Sequence, residues 1–454
     1  MGVPKFLESV VLNHRGRLRL HEPRTPSQPV CFWVSLNFMR LCIHRGTREI
    51  GGTCVEIESQ GKRIVLDVGL PLDVADPDAM PLHPVPGFGK PDPSLLGVVI
   101  SHPHQDHYGL AYRLPKETTF LVGEAAQSIL KAADFFTPAG LKLQNVIHLV
   151  DRQAIHLDPF TITPYLVDHS AYDSYAVLVE ADGKRLFYSG DFRAHGRKAE
   201  LVERLIADMP QDVDVLLMEG TALGRTSTAR GFPTEDDLVP RFVELFEQTK
   251  GLVLVWASGQ NIDRLVTLYK ACRRAKRQLI LDIYTTHVLR ATGNENIPQA
   301  NWRDIRIFLP QSQRYRIIRD QAFELVNPLK PYRIYPEDIA AEADRSVMLF
   351  RPSMMRDLDA IKGLSIGRMI VSVWGGYLKD ERNQALLEWL DRRSILLNHC
   401  HTSGHAAKQN LVALRKACRD AVVVPIHSEA SDQYEEHFGN AHPLEDGQWL
   451  GICQ

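Results

Sequence analysis

Short apolar runs recur along the chain, and each closes on a cluster of polar or turn-forming residues. Met39 to Cys42, Thr53 to Glu58 and Arg63 to Asp67 read as strands, the last two joined as a hairpin by the turn Ser59-Gln60-Gly61-Lys62. Beyond a proline-rich loop from Pro71 to Pro93, Leu95-Leu96-Gly97-Val98-Val99-Ile100 reads as a buried strand. The pattern then predicts a helix near Ala125–Ala133. It predicts strands at Phe160–Val167, Tyr175–Glu180 and Arg185–Ser189, the last two meeting across Asp182-Gly183, and a further strand at Val213–Met218.

From there the texture changes to strands alternating with amphipathic helices. Leu252–Trp256, a helix from Asn261 to about Lys276, and Leu279–Ile283 predict a parallel sheet with crossover helices, inserted as a unit. Met369–Val373, Ile395–Asn398 and Ala421–Pro425 supply more strands. The stretch from Asn301 to Pro336 is rich in arginine and proline, has no period and predicts no element; no internal repeat is visible.

Composition narrows the class. At 454 residues, 44% hydrophobic and 24% charged, the chain can bury a large core in two domains or one composite domain. A net charge of −2 means that any nucleic acid must meet a local basic groove, because the protein as a whole is not basic. Seven cysteines form no C-x-x-C pair, which fits reduced thiols in a cytoplasm, and none is assigned to a metal. No apolar run approaches the ~20 residues of a membrane span, and the amino terminus lacks the succession of a signal peptide. Residues 1–38, with Arg15, Arg17, Arg19 and Arg24, are read as a disordered extension ahead of a working start at Met39, in preference to a basic arm for nucleic acid.

The chemistry is concentrated after the strand that ends at Ile100, in His102-Pro103-His104-Gln105-Asp106-His107. Imidazoles two apart at a strand end can converge on one cation, and Asp106 and His107 can face a second point close by. Three more strand ends offer donors: Asp168-His169-Ser170, Ser189-Gly190-Asp191 and Pro425-Ile426-His427. A lone histidine after a strand is usually structural, and His148, His156 and His195 are left as such; His169 and His427 gain meaning from their order along the chain.

Together with Leu66-Asp67-Val68-Gly69, these segments resemble the metallo-β-lactamase superfamily from about residue 40 to the carboxyl terminus. The resemblance implies an α/β fold, an αββα sandwich. It also implies two zinc ions, with manganese as a substitute: His102, His104 and His169 on one, Asp106, His107 and His427 on the other, and Asp191 bridging. Asp67 would orient ligands from behind.

A second set of segments is similar to the β-CASP nucleases, and among them to the ribonuclease J-like proteins: Leu216-Leu217-Met218-Glu219-Gly220-Thr221, the inserted unit, His401-Thr402-Ser403-Gly404-His405-Ala406 and Pro425-Ile426-His427-Ser428-Glu429. The likeness implies a lactamase-like domain at 39–224 and 396–454 and a β-CASP domain at 225–395. It makes Asp106, His405 and Glu219 the catalytic set, with His405 donating a proton or steadying the charged transition state and Glu219 behind it. Ser258, Asn261, His401 and Ser403 would cradle a phosphate, and Arg193, Arg225 and Arg264 would touch the backbone of RNA or single-stranded DNA. The implied activity is a zinc-dependent nuclease, exo- or endonucleolytic. The alternatives are a DNA-processing β-CASP nuclease, a small-molecule metallo-hydrolase, which the insert disfavours, and a non-catalytic binding protein, which the complete donor set disfavours.

The chain also departs from ribonuclease J. Glu219-Gly220 stands in place of Asp-Ser, Ser428 in place of a glycine, and the 27 residues after His427 leave no room for the additional domain that supports dimers. Oligomeric state, 5′-end handling and substrate preference therefore stay open.

Overall fold

Both tight hairpins form where the sequence places them, because their central residues accept left-handed backbone. Gln60 (φ 51°) and Gly61 (φ 72°) close Ser59 onto Lys62, and Asp182 (φ 52°) and Gly183 (φ 71°) close Ala181 onto Lys184. The structure, a computed structural model, describes residues 38–452 apart from 73, 75, 139 and 226–230. The expectation for residues 1–38 therefore lies, but for Phe38, outside the described residues.

Two sheets face each other. The first has seven strands in the order Trp449–Gly451, Arg40–Arg45, Cys54–Ser59, Lys62–Leu66, Leu95–Val99, Thr119–Gly123 and Asn145–Leu149. The second has six: Val422–Ile426, Val215–Glu219, Lys184–Tyr188, Ser174–Ala181, Phe160–Val167 and Ile155–Leu157. Between them lies a core that includes Leu41, Ile57, Leu66 and Leu121 from one side and Ile162, Val177, Leu217 and Val424 from the other, none more than 1% exposed. The helix Glu124–Phe136 covers the outer face of the first sheet through Ala126 and Leu130. The helices Ala199–Ala207, Lys408–Ala417 and Tyr434–Phe438 cover the second, which completes an αββα sandwich.

The inserted unit is a third sheet in the order Ile305–Phe308, Gln278–Asp282, Ser346–Phe350, Leu252–Trp256, Ile366–Val371 and Leu396–His399, with every pairing parallel. Helices lie on both faces, which is why Gln278–Asp282 and Ser346–Phe350 are buried at every position. One boundary needs correction. Leu396–His399 pairs with Ile366–Val371, so the insert's sheet runs to His399 and the chain does not return to the sandwich at residue 396.

The unreadable stretch from Asn301 to Pro336 holds a four-residue edge strand, the helix Gln311–Arg319 and the 3-10 turns Phe323–Leu325 and Asn327–Tyr332. Such short pieces carry too few repeats to show a period.

Topology gathers the candidate residues at one edge. Leu66 and Val99 are parallel partners, as are Tyr188 with Leu217 and Glu219 with Ile426, while Phe160–Val167 and Lys184–Tyr188 both run antiparallel to the strand between them. The carboxyl ends of all these strands thus open together. Replacing Leu217 by alanine, at the centre of the sandwich core, is expected to destabilise the fold by about 2–5 kcal/mol. A lowered melting temperature with unchanged far-ultraviolet circular dichroism would show it, and an unchanged melting temperature would contradict the packing.

Candidate metal centre

At that edge the donors converge. Ligand atoms of His102, His104 and His169 lie within 4.8 Å of one another, as do those of Asp106, His107, Asp191 and His427, and those of His169, Asp191 and His405. Asp191 Oδ2 is the common point: it stands 3.2 Å from His107 Nε2, 3.7 Å from both His102 Nε2 and His427 Nε2, and 3.5 Å from His405 Nδ1. His169 Nε2 and His104 Nδ1 are 3.2 Å apart.

The nitrogens pointing away from this centre are tied down. His107 Nδ1 donates to Asp67 at 2.8 Å, His102 Nδ1 meets the Ser101 hydroxyl at 3.0 Å, and His427 Nδ1 meets the Thr53 hydroxyl at 2.9 Å and the Gly51 N–H at 3.3 Å. Of the atoms pointing inward, His102 Nε2, His107 Nε2, His427 Nε2, His405 Nδ1 and both oxygens of Asp191 are buried without a hydrogen-bond partner. A buried polar atom left unpaired is unfavourable by a few kcal/mol. Six of them aimed at one volume form a donor set that fits divalent cations of the zinc or manganese type.

Local backbone serves the aim. Asp67 (φ 59°) and His427 (φ 53°) both hold left-handed conformations, which Asp and His accept more readily than most residues and which turn the chain sharply at a strand end. Gly69 packs so closely on the metal-loop backbone that a Cβ there would overlap the Asp106 carbonyl.

The charges follow from burial. Burial holds His102 and His169 well below the ordinary imidazole range, reinforced by neighbouring imidazoles, and takes His104 down to about 4. Burial alone would raise the Asp191 carboxyl, yet His427, His107 and His405 hold it well below the usual range. Burial would likewise lower His405, but Glu219 and Asp191 outweigh it and lift it to about 9.

His405, expected near but outside the ligand set, has its Nδ1 within 4.8 Å of ligand atoms of His169 and Asp191 and 3.4 Å from Glu219 Oε2. Glu219 is itself braced, accepting from the backbone N–H groups of Phe192, Ala406 and Thr221 at 3.1–3.3 Å.

Within the expected phosphate cradle the Asn261 N–H donates to the Ser258 carbonyl at 3.3 Å. Asn261 caps its own helix by accepting from the Arg264 N–H at 3.0 Å, and Ser258 Oγ accepts from the Gln260 N–H at 3.2 Å. His401 Nδ1 meets the Ser372 carbonyl at 3.1 Å, and Ser403 Oγ accepts from the His405 N–H at 3.1 Å.

Two of the three arginines also need correction. Arg193 and Arg264 are fully buried, the first paired with Asp168, Asp263 and Glu235, the second with Glu235 and Ser372. Neither is free to meet a nucleic-acid backbone. His195, left as structural, supports the Ser403 carbonyl at 2.8 Å.

Residues 62–239 match the family model described as a beta-lactamase superfamily domain. The sandwich and the strand-end donors agree with this match, so the chain is similar over residues 62–239 to the metallo-β-lactamase superfamily. Within it, the chain is similar to ribonuclease J of Helicobacter pylori (strain ATCC 700392 / 26695), 23% identical over 407 residues that cover 85% of this chain and 55% of that protein. It is also similar to an RNase J-like protein of Methanocaldococcus jannaschii, 23% identical over 76% of each chain, and to RNase aCSPSF2 of Saccharolobus solfataricus, 25% identical over 46% of this chain and 44% of that protein. The chain thus spans about half the length of the ribonuclease J of Helicobacter pylori. A crystallised protein of unknown function from Enterococcus faecalis V583 shares the fold, with a TM-score of 0.73 at 19% identity over 91% of this chain and all of that one.

The Asp67→Asn variant keeps the shape but removes the charge that orients His107. Metal affinity should fall about 10- to 100-fold, read by competition with a chromophoric chelator, and an unchanged affinity would rule out the orienting role. Acidity supplies a separate check. His104 and His195, both near 4, and His401, near 3, are held below their ordinary value of 6.5, so from pH 6.5 down to 4 the unfolded chain binds more protons and stability falls. His405, raised to about 9, contributes stability below pH 6.5 that is lost as pH rises through 9. The melting temperature of chelator-treated protein should therefore peak near neutrality, and a profile that rises toward pH 5 would contradict these environments.

Proposed function

We propose that this protein is a two-metal nuclease that hydrolyses phosphodiester bonds of RNA, single-stranded DNA being the second substrate to try. The observation that carries the reading is Asp191, a buried carboxylate with neither oxygen hydrogen-bonded, shared between two clusters of donors. The names of the relatives, ribonuclease J among them, support the choice of substrate class.

His102, His104 and His169 would hold one zinc, Asp106, His107 and His427 the other, and Asp191 both. Bound there, the ions would supply Lewis acidity at the phosphate and activate water. The protein's own part is placement and protons. Asp67 and Ser101 place protons on the outward Nδ1 atoms of His107 and His102, so that their Nε2 atoms face inward. His405, protonated at neutral pH and steadied by Glu219, is placed to give a proton to the departing oxygen or to offset charge on the phosphoryl group. Ser403, beside it, and His401 would line the path of the substrate's phosphates, with Ser258 and Asn261 at the amino end of the helix Ile262–Arg274. The five described cysteines are free and buried, which supports a reducing cytoplasm as its compartment. Among the described residues no helix is long and apolar enough to cross a membrane.

The test is incubation of the purified protein, with zinc or manganese, with end-labelled RNA and DNA oligonucleotides bearing a 5′-monophosphate or a 5′-hydroxyl. Cleavage of RNA is expected, and its pattern separates stepwise trimming from internal cuts. Asp106→Ala should abolish it, and His405→Ala should slow it about 10²- to 10⁴-fold. Intact oligonucleotides in the presence of bound metal would overturn the reading.

A further inference from the structure

Among the described residues most aromatic side chains are packed away, but Trp374 and Tyr377 stand 54% and 45% exposed, side by side. Their rings meet edge to face, 5.8 Å between centroids and 80° between planes. They sit in and just before the 3-10 turn Gly375–Lys379, past the carboxyl end of the strand Ile366–Val371. The indole folds back over its own turn: a Cβ on Gly376 would run into the Trp374 ring.

The Arg225 guanidinium lies over the Trp374 ring, 5.3 Å from its centroid. Arg225 is held there by Glu429 at 2.9 Å, and Glu429 is two residues beyond His427. On the other side, His399 Nε2 meets the Val373 carbonyl and His401 Nδ1 the Ser372 carbonyl, both at 3.1 Å, and the chain runs on from His401 to His405. The exposed pair is therefore braced on residues leading to both His427 and His405.

We propose that Trp374, with Tyr377 at its edge and Arg225 over its ring, is a stacking platform for one unpaired base of a single-stranded RNA whose phosphate enters the metal centre. The inference rests on the nucleic-acid reading above and adds the position and chemistry of a base subsite. Stacking suits a site of this kind, since an indole offers a flat face to any base and needs no hydrogen-bond code. Arg225 adds a cation at the rim where the substrate's negative backbone passes, and its tether to Glu429 keeps it over the ring. A double helix would hide the base faces, so the platform selects for single strands.

The test measures binding to the full-length, metal-loaded protein by fluorescence anisotropy, with a single-stranded phosphorothioate RNA that resists cleavage. Trp374→Ala should weaken binding about 5- to 150-fold, and Trp374→Phe should recover most of the loss. RNAs lacking one base at successive positions complete a cycle: at one position the missing base should weaken the wild type by a similar factor and weaken Trp374→Ala no further. If the alanine variant binds as tightly as the wild type, or every missing base weakens both proteins equally, the platform is wrong. That result, with wild-type cleavage of ordinary RNA intact, leaves the nuclease reading standing. A wild type that neither binds nor cleaves RNA overturns both.

Discussion

The Asp67 carboxylate is the interaction on which both the fold and the centre depend. It is completely buried, a position that a carboxylate occupies only when its lone pairs are taken up. Four donors do so: the Ser101 N–H at 2.7 Å, the Ser101 hydroxyl at 2.8 Å, His107 Nδ1 at 2.8 Å and the Tyr188 hydroxyl at 2.7 Å. Tyr188 belongs to the second sheet and Asp67 to the end of a strand of the first, so one side chain pins the two sheets together at the edge where the donors emerge. Because the carboxylate can only accept, His107 must carry a proton on Nδ1, and its Nε2 is left facing Asp191.

The centre inverts that arrangement a few ångströms away. Asp67 is saturated, whereas Asp191 accepts no hydrogen bond at all, its charge met only by the imidazoles around it. Fixed outer nitrogens and free inner ones are two halves of one arrangement. The outward hydrogen bonds of His107 and His102 remove their tautomeric choice, and the unpaired Asp191 oxygens gain a partner only from something electropositive at the middle.

The sequence was legible where chemistry coincides with a strand end. The ligand loop, His169, Asp191 and His427 each follow an apolar run, and the runs end at one edge because their strands are parallel. The structure brings all seven predicted metal ligands into the cluster. What stayed hidden depends on contacts between distant segments. Arg193 and Arg264 look like surface charges, since burial is the exception for arginine, and nothing local shows that Asp168, Glu235 and Asp263 will enclose them. His195 supports a carbonyl more than 200 positions away. Asn145–Leu149 is a half-exposed edge strand without clean alternation, so its pattern never announced it.

The buried charges at the junction bear on how the two lobes act together. Arg193 reaches Asp263 at 2.5 Å and Glu235 at 3.5 Å, both on helices of the insert, while it also holds Asp168 at 3.5 Å and the Ser403 carbonyl at 3.1 Å. Asp168 precedes the ligand His169, and Ser403 receives the N–H of His405. Ion pairs this deep add little net stability, because desolvation offsets most of their attraction, and well-packed apolar residues of the same volume would hold the lobes together as firmly. Apolar packing, however, lacks direction. A guanidinium with planar donors meets its partners from fixed angles, so here the orientation of the insert is communicated to two residues next to His169 and His405. The ion network is therefore better understood as setting the angle between the lobes at the centre than as binding them together.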